Sequence, residues 1–491
     1  MKKKIGAVLT ACLMSGAIVA SVGMGSCVKK VSDFVMPAGG YDGSEVTITF
    51  ANTTGQKLEP IVADAIKRFN VLYPNITVNV DRTNQGWDEI FKAISDKMTS
   101  DKQPNVAYCY SDHVAYYNQA GIVMPLDGFM PDGEYKNMTV TNTSGTESLG
   151  LTQAQKDDYV DVFFKEGRVY KDGKMYTLPL AKSTEVMFYN KTFFNKYEIA
   201  VPTTWKEMEK TCETIMNIVK SEDYPEVVDN GKKVALGYDS EANLFITMCE
   251  QYGAPYTQLD RYAEGGHYVF DNETTRWFVK MLKEWKDKRY LTTQELAKEY
   301  SSNLFTIEDC YISIGSSGGT SYQIPDSTDG EYVFEVGVAP IPQAYSTDPD
   351  HEEYKEGYTP KTILQGPSVC VFKHSNPQEV IASWLLVKFL TTDQQFQGRY
   401  SETSGYTPVT KSTFESEDYQ DFLSEKRLTA QTANVCMEMA LKGEFYTSPA
   451  FLGSSVARKQ VGYLLRDYLA GSKTIDEAFR DALRECAQYQ D

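Results

Sequence analysis

From Val46 onward the chain alternates apolar and polar positions in short runs, shifts to helical spacing, and repeats that exchange to its end. Val46, Ile48 and Phe50 alternate with polar residues and predict a strand. Leu58, Ile61, Val62, Ala65, Ile66 and Phe69 then form a helical stripe that Pro74 ends, after which Ile76, Val78 and Val80 alternate again. This β-α-β order implies a parallel pair joined by a right-handed crossover. A helix around Phe91 to Met98, a strand at Val106 to Tyr110, and strands at Lys174 to Leu180 and Val186 to Tyr189 continue the pattern. Thr204-x-x-Glu207 and Thr474-x-x-Glu477 are capping boxes that open later helices, and Pro377 suits a first helical turn. Strands and helices that alternate this way predict α/β units whose sheets are covered on both faces.

The start of the chain reads differently. Lys2 to Lys4 precede the small, apolar run Ile5 to Val22, which ends in Met24-Gly25-Ser26-Cys27. That is the layout of an export signal over residues 1–26, with Cys27 as the lipidated first residue of the mature chain. Residues 27–43, containing Pro37 and Gly39-Gly40, are expected to form a tether. No later run approaches the ~20 apolar residues a membrane span needs.

Length and composition narrow the chemistry. At 491 residues two or three folding units are expected, and 42% hydrophobic residues supply an ordinary core. A net charge of -18 argues against nucleic acid, because phosphate binding needs clustered Lys and Arg. Of nine cysteines, Cys12 and Cys27 belong to the leader and its processing site; the other seven are scattered without a CxxC pair, so neither a zinc site nor a disulfide framework is indicated. With four histidines, no HExxH and no Gly-x-x-x-x-Gly-Lys phosphate loop, no metal or cofactor is expected.

Several segments in order resemble the family 1 extracellular solute-binding proteins of bacterial ABC importers. They are Arg68-Phe69-Asn70 with Tyr73-Pro74-Asn75-Ile76, Pro104-Asn105-Val106, Pro125-Leu126-Asp127, Phe188-Tyr189-Asn190-Lys191, Pro202-Thr203-Thr204-Trp205, Phe334 to Pro342, and Gly405-Tyr406-Thr407-Pro408-Val409. The resemblance implies a two-lobed periplasmic-binding-protein-like clamp of type II, each lobe a helix-covered mixed sheet, joined by crossing hinge strands. Its expected division is 44–183 plus 335–391 for the first lobe and 184–334 plus 392–491 for the second. It further implies a monomer lipid-anchored at the extracellular face of the membrane. This monomer would capture a small polar solute, a carbohydrate by expectation, and pass it to the ABC permease subunits without chemistry.

The same resemblance, with the rule that ligands meet strand carboxyl ends, selects the candidate contacts. Asn52 and Thr53 follow the first strand; Trp87 follows the second; Ser111 and Asp112 follow the third. Ser183 and Thr184 sit at the first crossing, Ser316 and Ser317 follow a strand of the second lobe, and Gly366 and Tyr406 match further contact positions. Where glycerol-phosphate binders of the family place a phosphate-gripping arginine, this chain shows Ser448 to Gly453 with an apolar Phe451, which favours a sugar ring; Arg458 and Lys459 follow closely. Two alternatives stand beside the carbohydrate reading: a glycerol-phosphate-type ligand, and a secreted hydrolase using Ser317 of Gly315-Ser316-Ser317-Gly318-Gly319 with His351 or His374.

Overall fold

The computed structural model describes residues 33–489, apart from 84–85, 99, 101, 261–264 and 329–330. The export signal and Cys27 lie outside the described residues. Ten strands build two five-stranded sheets: β1 (Val46–Ala51), β2 (Ile76–Asp81), β3 (Val106–Cys109), β4 (Leu178–Pro179), β5 (Glu185–Asn190), β6 (Val234–Tyr238), β7 (Leu291–Thr293), β8 (Cys310–Ser316), β9 (Val336–Pro340) and β10 (Ser368–Val371). The first sheet has the order β2-β1-β3-β10-β4, and the second β7-β6-β8-β5-β9. In each, three strands run parallel through helical crossovers, and the strands that bring the chain across from the other lobe add antiparallel. The α/β reading and the opening β-α-β unit hold.

The lobe boundaries differ from those expected. β9, expected in the first lobe from residue 335, pairs with β5 in the second sheet, Val338 opposite Phe188. Its polar-flanked apolar run needs an edge to complete, and β5 offers one. Conversely Phe396, Tyr400 and Val409, expected in the second lobe, bury in the apolar cluster beneath the first sheet. The second cluster gathers Trp205, Phe245, Phe278, Trp285 and the closing helices Ser454–Ala470 and Ile475–Cys486. Helix Pro377–Thr392 is apolar nearly all round and accordingly buried; Trp384 stacks on Phe129 at 4.4 Å and donates to Leu149 O at 2.8 Å.

The passage between the sheets is held by backbone pairing. Leu180 N–H donates to Pro367 O at 3.0 Å, Lys182 pairs with Thr407, and Ser183 pairs with Gln365. Gly366 allows this close approach: at φ +91°, a Cβ there would lie 2.4 Å from Ala181 O. Among the described residues no helix is long and apolar enough to cross a membrane.

Candidate functional site

A cavity of about 120 Å³ lies between the two sheets. From the first come Tyr110, Ser111 and Asp112, at the carboxyl end of β3, together with Glu166; from the second come Tyr256, Thr257, Ser454 and Arg458. Ile363, Leu364 and Gln365, on the stretch that crosses between lobes, form the wall between them. Arg458 reaches it from the helix Ser454–Ala470, whose entry depends on Gly453: its φ is +92°, and a Cβ would meet Tyr268 Oη at 2.2 Å.

The chemistry of this cavity is unfinished within the protein. Ser111 Oγ, Tyr256 Oη, Thr257 Oγ1 and Gln365 Oε1 are buried and, among the described residues, have no hydrogen-bond partner. Each such atom costs about 1–3 kcal/mol, so four around one space point to a polar guest. Arg458 donates to the neutral Asn243 Oδ1, and among the described residues no carboxylate pairs with its guanidinium. Asp112 accepts from the His113 N–H at 2.9 Å, and His113, buried among Phe91 and Trp87, is held below the usual histidine range by that burial. Glu166 turns one oxygen to Lys182 and to the Ser368 hydroxyl, 3.1 Å away. The cavity therefore places Arg458 on one wall and Asp112 on the other, beside a Glu166 whose charge is paired with Lys182.

The expected contacts fall in different places. Ser111 and Asp112 line the cavity. Trp87 does not; it packs on Tyr110, which does, with ring centroids 4.1 Å apart. Ser183, Thr184, Ser316, Ser317 and Gly366 gather at the crossing and largely satisfy one another. Thr184 Oγ1 donates to Ile363 O at 2.7 Å, Thr184 N–H donates to Ser317 Oγ at 3.3 Å, and Ser316 Oγ lies 3.4 Å from Ser183 Oγ. Tyr406 covers Gly318, where a Cβ would meet its ring at 2.9 Å. Asn52 is buried at the end of β1 and accepts from Thr54 N–H, with Thr53 half-exposed beside it.

Phe451 is a correction. It is 3% exposed, packs on Tyr268 at 5.8 Å in the second core, and is absent from the cavity wall. Its neighbours Ser448, Pro449 and Ala450 face the cavity instead, and a few residues further on the arginine appears as Arg458. The ground for preferring sugar over phosphate is thereby removed. Nor does a triad assemble on Ser317: His351 faces Glu207 and Glu353, and His374 faces Pro104 O. Glu207, His351 and Glu353 are close enough to share a cation, yet Lys206 Nζ already stands 2.7 Å from Glu353.

Nothing in the sequence marks Glu166, Tyr256, Thr257 and Gln365 as cavity residues. Glu166 looks like any surface glutamate in sequence; only its burial beside Lys182 sets it apart. Arg458 was one register away, marked by the glycine and serines that start its helix.

Two α/β lobes, a hinge of paired crossings and a polar cavity between them define a clamp that closes on a small solute. The chain belongs to the bacterial extracellular solute-binding proteins, whose profile it matches over residues 64–423; these are the solute receptors of ABC importers. It is similar to a Brucella abortus protein named only as a binding protein, 23% identical over 78% of this chain and 80% of that one. In structure it is similar to UgpB from Mycobacterium tuberculosis in complex with glycerophosphocholine, with a TM-score of 0.69, 16% identity, and 90% and 98% of the two chains covered. It is likewise similar to MalE from Bdellovibrio bacteriovorus bound to maltotriose, with a TM-score of 0.63, 17% identity, and 90% and 99% covered.

Proposed function

We propose that this receptor takes a compact polar solute bearing an anionic group, of the glycerophosphodiester kind, with Arg458 as its grip. The observation that carries this reading is a guanidinium at the cavity wall with no carboxylate partner among the described residues. The amino end of the helix Ser454–Ala470, which carries no side-chain cap, adds its positive dipole end to the cavity. Asp112 and Glu166 on the facing wall suit hydroxyls or a cationic group on the same ligand, and the Tyr110 and Tyr256 rings offer faces to its C–H surface. UgpB, bound to glycerophosphocholine, is similar in fold and supports the choice. A saccharide is the second reading, favoured by the buried hydroxyls and amide that await partners.

The mature chain carries lipid on Cys27, acts as a monomer outside the cell membrane, and hands its ligand to the permease without turning it over. Thermal unfolding of the purified protein tests the ligand class. At 100 times Kd a ligand adds about 2.7 kcal/mol. Glycerophosphocholine should raise the midpoint in wild type and not in Arg458→Ala. Stabilisation by maltotriose alone, equal in both proteins, would instead establish the saccharide reading.

A further inference from the structure

Arg458 reaches the cavity as the outer end of a buried relay. Its Nη2 donates to Asn243 Oδ1; Asn243 Nδ2 donates to Glu185 Oε1 at 2.8 Å; and Glu185 Oε2 accepts from Tyr238 Oη at 2.6 Å. Glu185 and Asn243 are 1% and 3% exposed, and Glu185 is the first residue of β5, directly after the crossing between lobes. A carboxylate only accepts and a guanidinium only donates. The amide between them therefore has one orientation that satisfies both: nitrogen towards Glu185, oxygen towards Arg458.

We propose that Glu185 is a positioning residue of the ligand site, which acts through the Asn243 amide to hold the Arg458 guanidinium at the cavity wall. The inference rests on Arg458 being the ligand grip. With a neutral side chain at 185 the amide nitrogen keeps at most a neutral acceptor, and the charge-assisted bond that holds Asn243 against Arg458 is lost. Glu185 touches no ligand itself. Its place at the exit of the crossing ties the grip to the hinge that opens and closes the clamp.

The relay also gives the site a pH dependence. Burial pushes the Glu185 carboxyl up to about 7, against the pull of the Tyr238 and Asn243 hydrogen bonds and the Arg458 charge. Asp239 pushes it the same way as burial, and the Tyr238 and Tyr446 hydroxyls lie within its field. The carboxylate that orients Asn243 is thus present above neutrality and is lost as pH falls through about 7. Burial likewise holds the His113 imidazole, near the cavity, below the usual histidine range.

Two measurements on the full mature chain decide the matter. The first is the crystal structure of Glu185→Gln. The Arg458 guanidinium should leave Asn243, and an undisturbed Arg458–Asn243 bond would overturn the proposal whatever the ligand is. The second is calorimetric titration with sulfate, an anion that does not itself titrate between pH 6 and 8. Wild type should bind sulfate about tenfold more tightly at pH 8 than at pH 6, the scale of one charge-assisted hydrogen bond. Glu185→Gln should bind at the weaker level at both pH values. Tighter wild-type binding at pH 6 would mean that Glu185 acts only as a distant repelling charge, and would also overturn the proposal. Sulfate affinity unchanged in Arg458→Ala, or none in wild type, would count against the ligand grip instead, while the first measurement still decides the relay.

Discussion

Lys182→Met probes the hinge where the structure concentrates buried charge. The Lys182 side chain is 1% exposed and that of Glu166 6% exposed. Besides Glu166, Lys182 Nζ donates to Ser368 Oγ at 2.8 Å and to Gly366 O at 3.2 Å. Methionine keeps the apolar stem and removes the ammonium. Glu166 is then left buried with the Ser368 hydroxyl as its remaining donor, and the Gly366 carbonyl loses its side-chain partner. Breaking a buried pair from one side costs about 3–5 kcal/mol, because the surviving charge is uncompensated. Lys182→Met with Glu166→Gln removes both charges and should cost only about 1–2 kcal/mol, the scale of a neutral hydrogen bond or two. Urea unfolding followed by tryptophan fluorescence reads both lobes, since Trp384 lies in the first core and Trp205 and Trp285 in the second. A single substitution costing under about 1 kcal/mol, or a double no milder than the single, would refute the reasoning.

Three further outcomes are expected. Phe451→Ala should cost about 3–5 kcal/mol of stability, as a core phenylalanine does, and leave ligand affinity unchanged; a loss of affinity without a loss of stability would return Phe451 to the site. Although burial works against it, hydrogen bonds from Thr203 and His351 hold Glu207 down at about 2. Its stabilising share is therefore present above about pH 4.5 and lost as pH falls towards 2. Glu207→Gln should flatten the acid side of the stability profile over that interval, and an unchanged profile would contradict the assignment. Cys27→Ala should move the protein from the membrane to the soluble fraction, and retention on membranes would contradict the lipid anchor.

The fold was legible because β1, the helix after it and β2 each carry one clean period, and period is what selects strand or helix. Lobe membership was not, because a strand such as β9 reads the same whichever sheet supplies its partner; the choice is made by β5, nearly 150 residues earlier in the chain. At the site, Ser111 and Asp112 could be found because strand ends are positions that topology exposes. Ser183, Thr184, Ser316 and Ser317 carry the same hydroxyl chemistry, but the hinge consumes it in bonds between crossing segments. Phe451 and Arg458 show how fine the margin is. Seven residues separate a core ring from a cavity charge, and only the Gly453 turn decides which one faces the ligand.

The solute is expected in the cavity between Asp112 and Arg458. A crystal structure of the mature protein grown with glycerophosphocholine tests it most directly. Density should fill that cavity, with an anionic group on Arg458 and new hydrogen bonds to Tyr256 Oη, Thr257 Oγ1 and Gln365 Oε1. Ligand found elsewhere on the protein, or a cavity left empty with those three atoms still unbonded at saturating ligand, would contradict it.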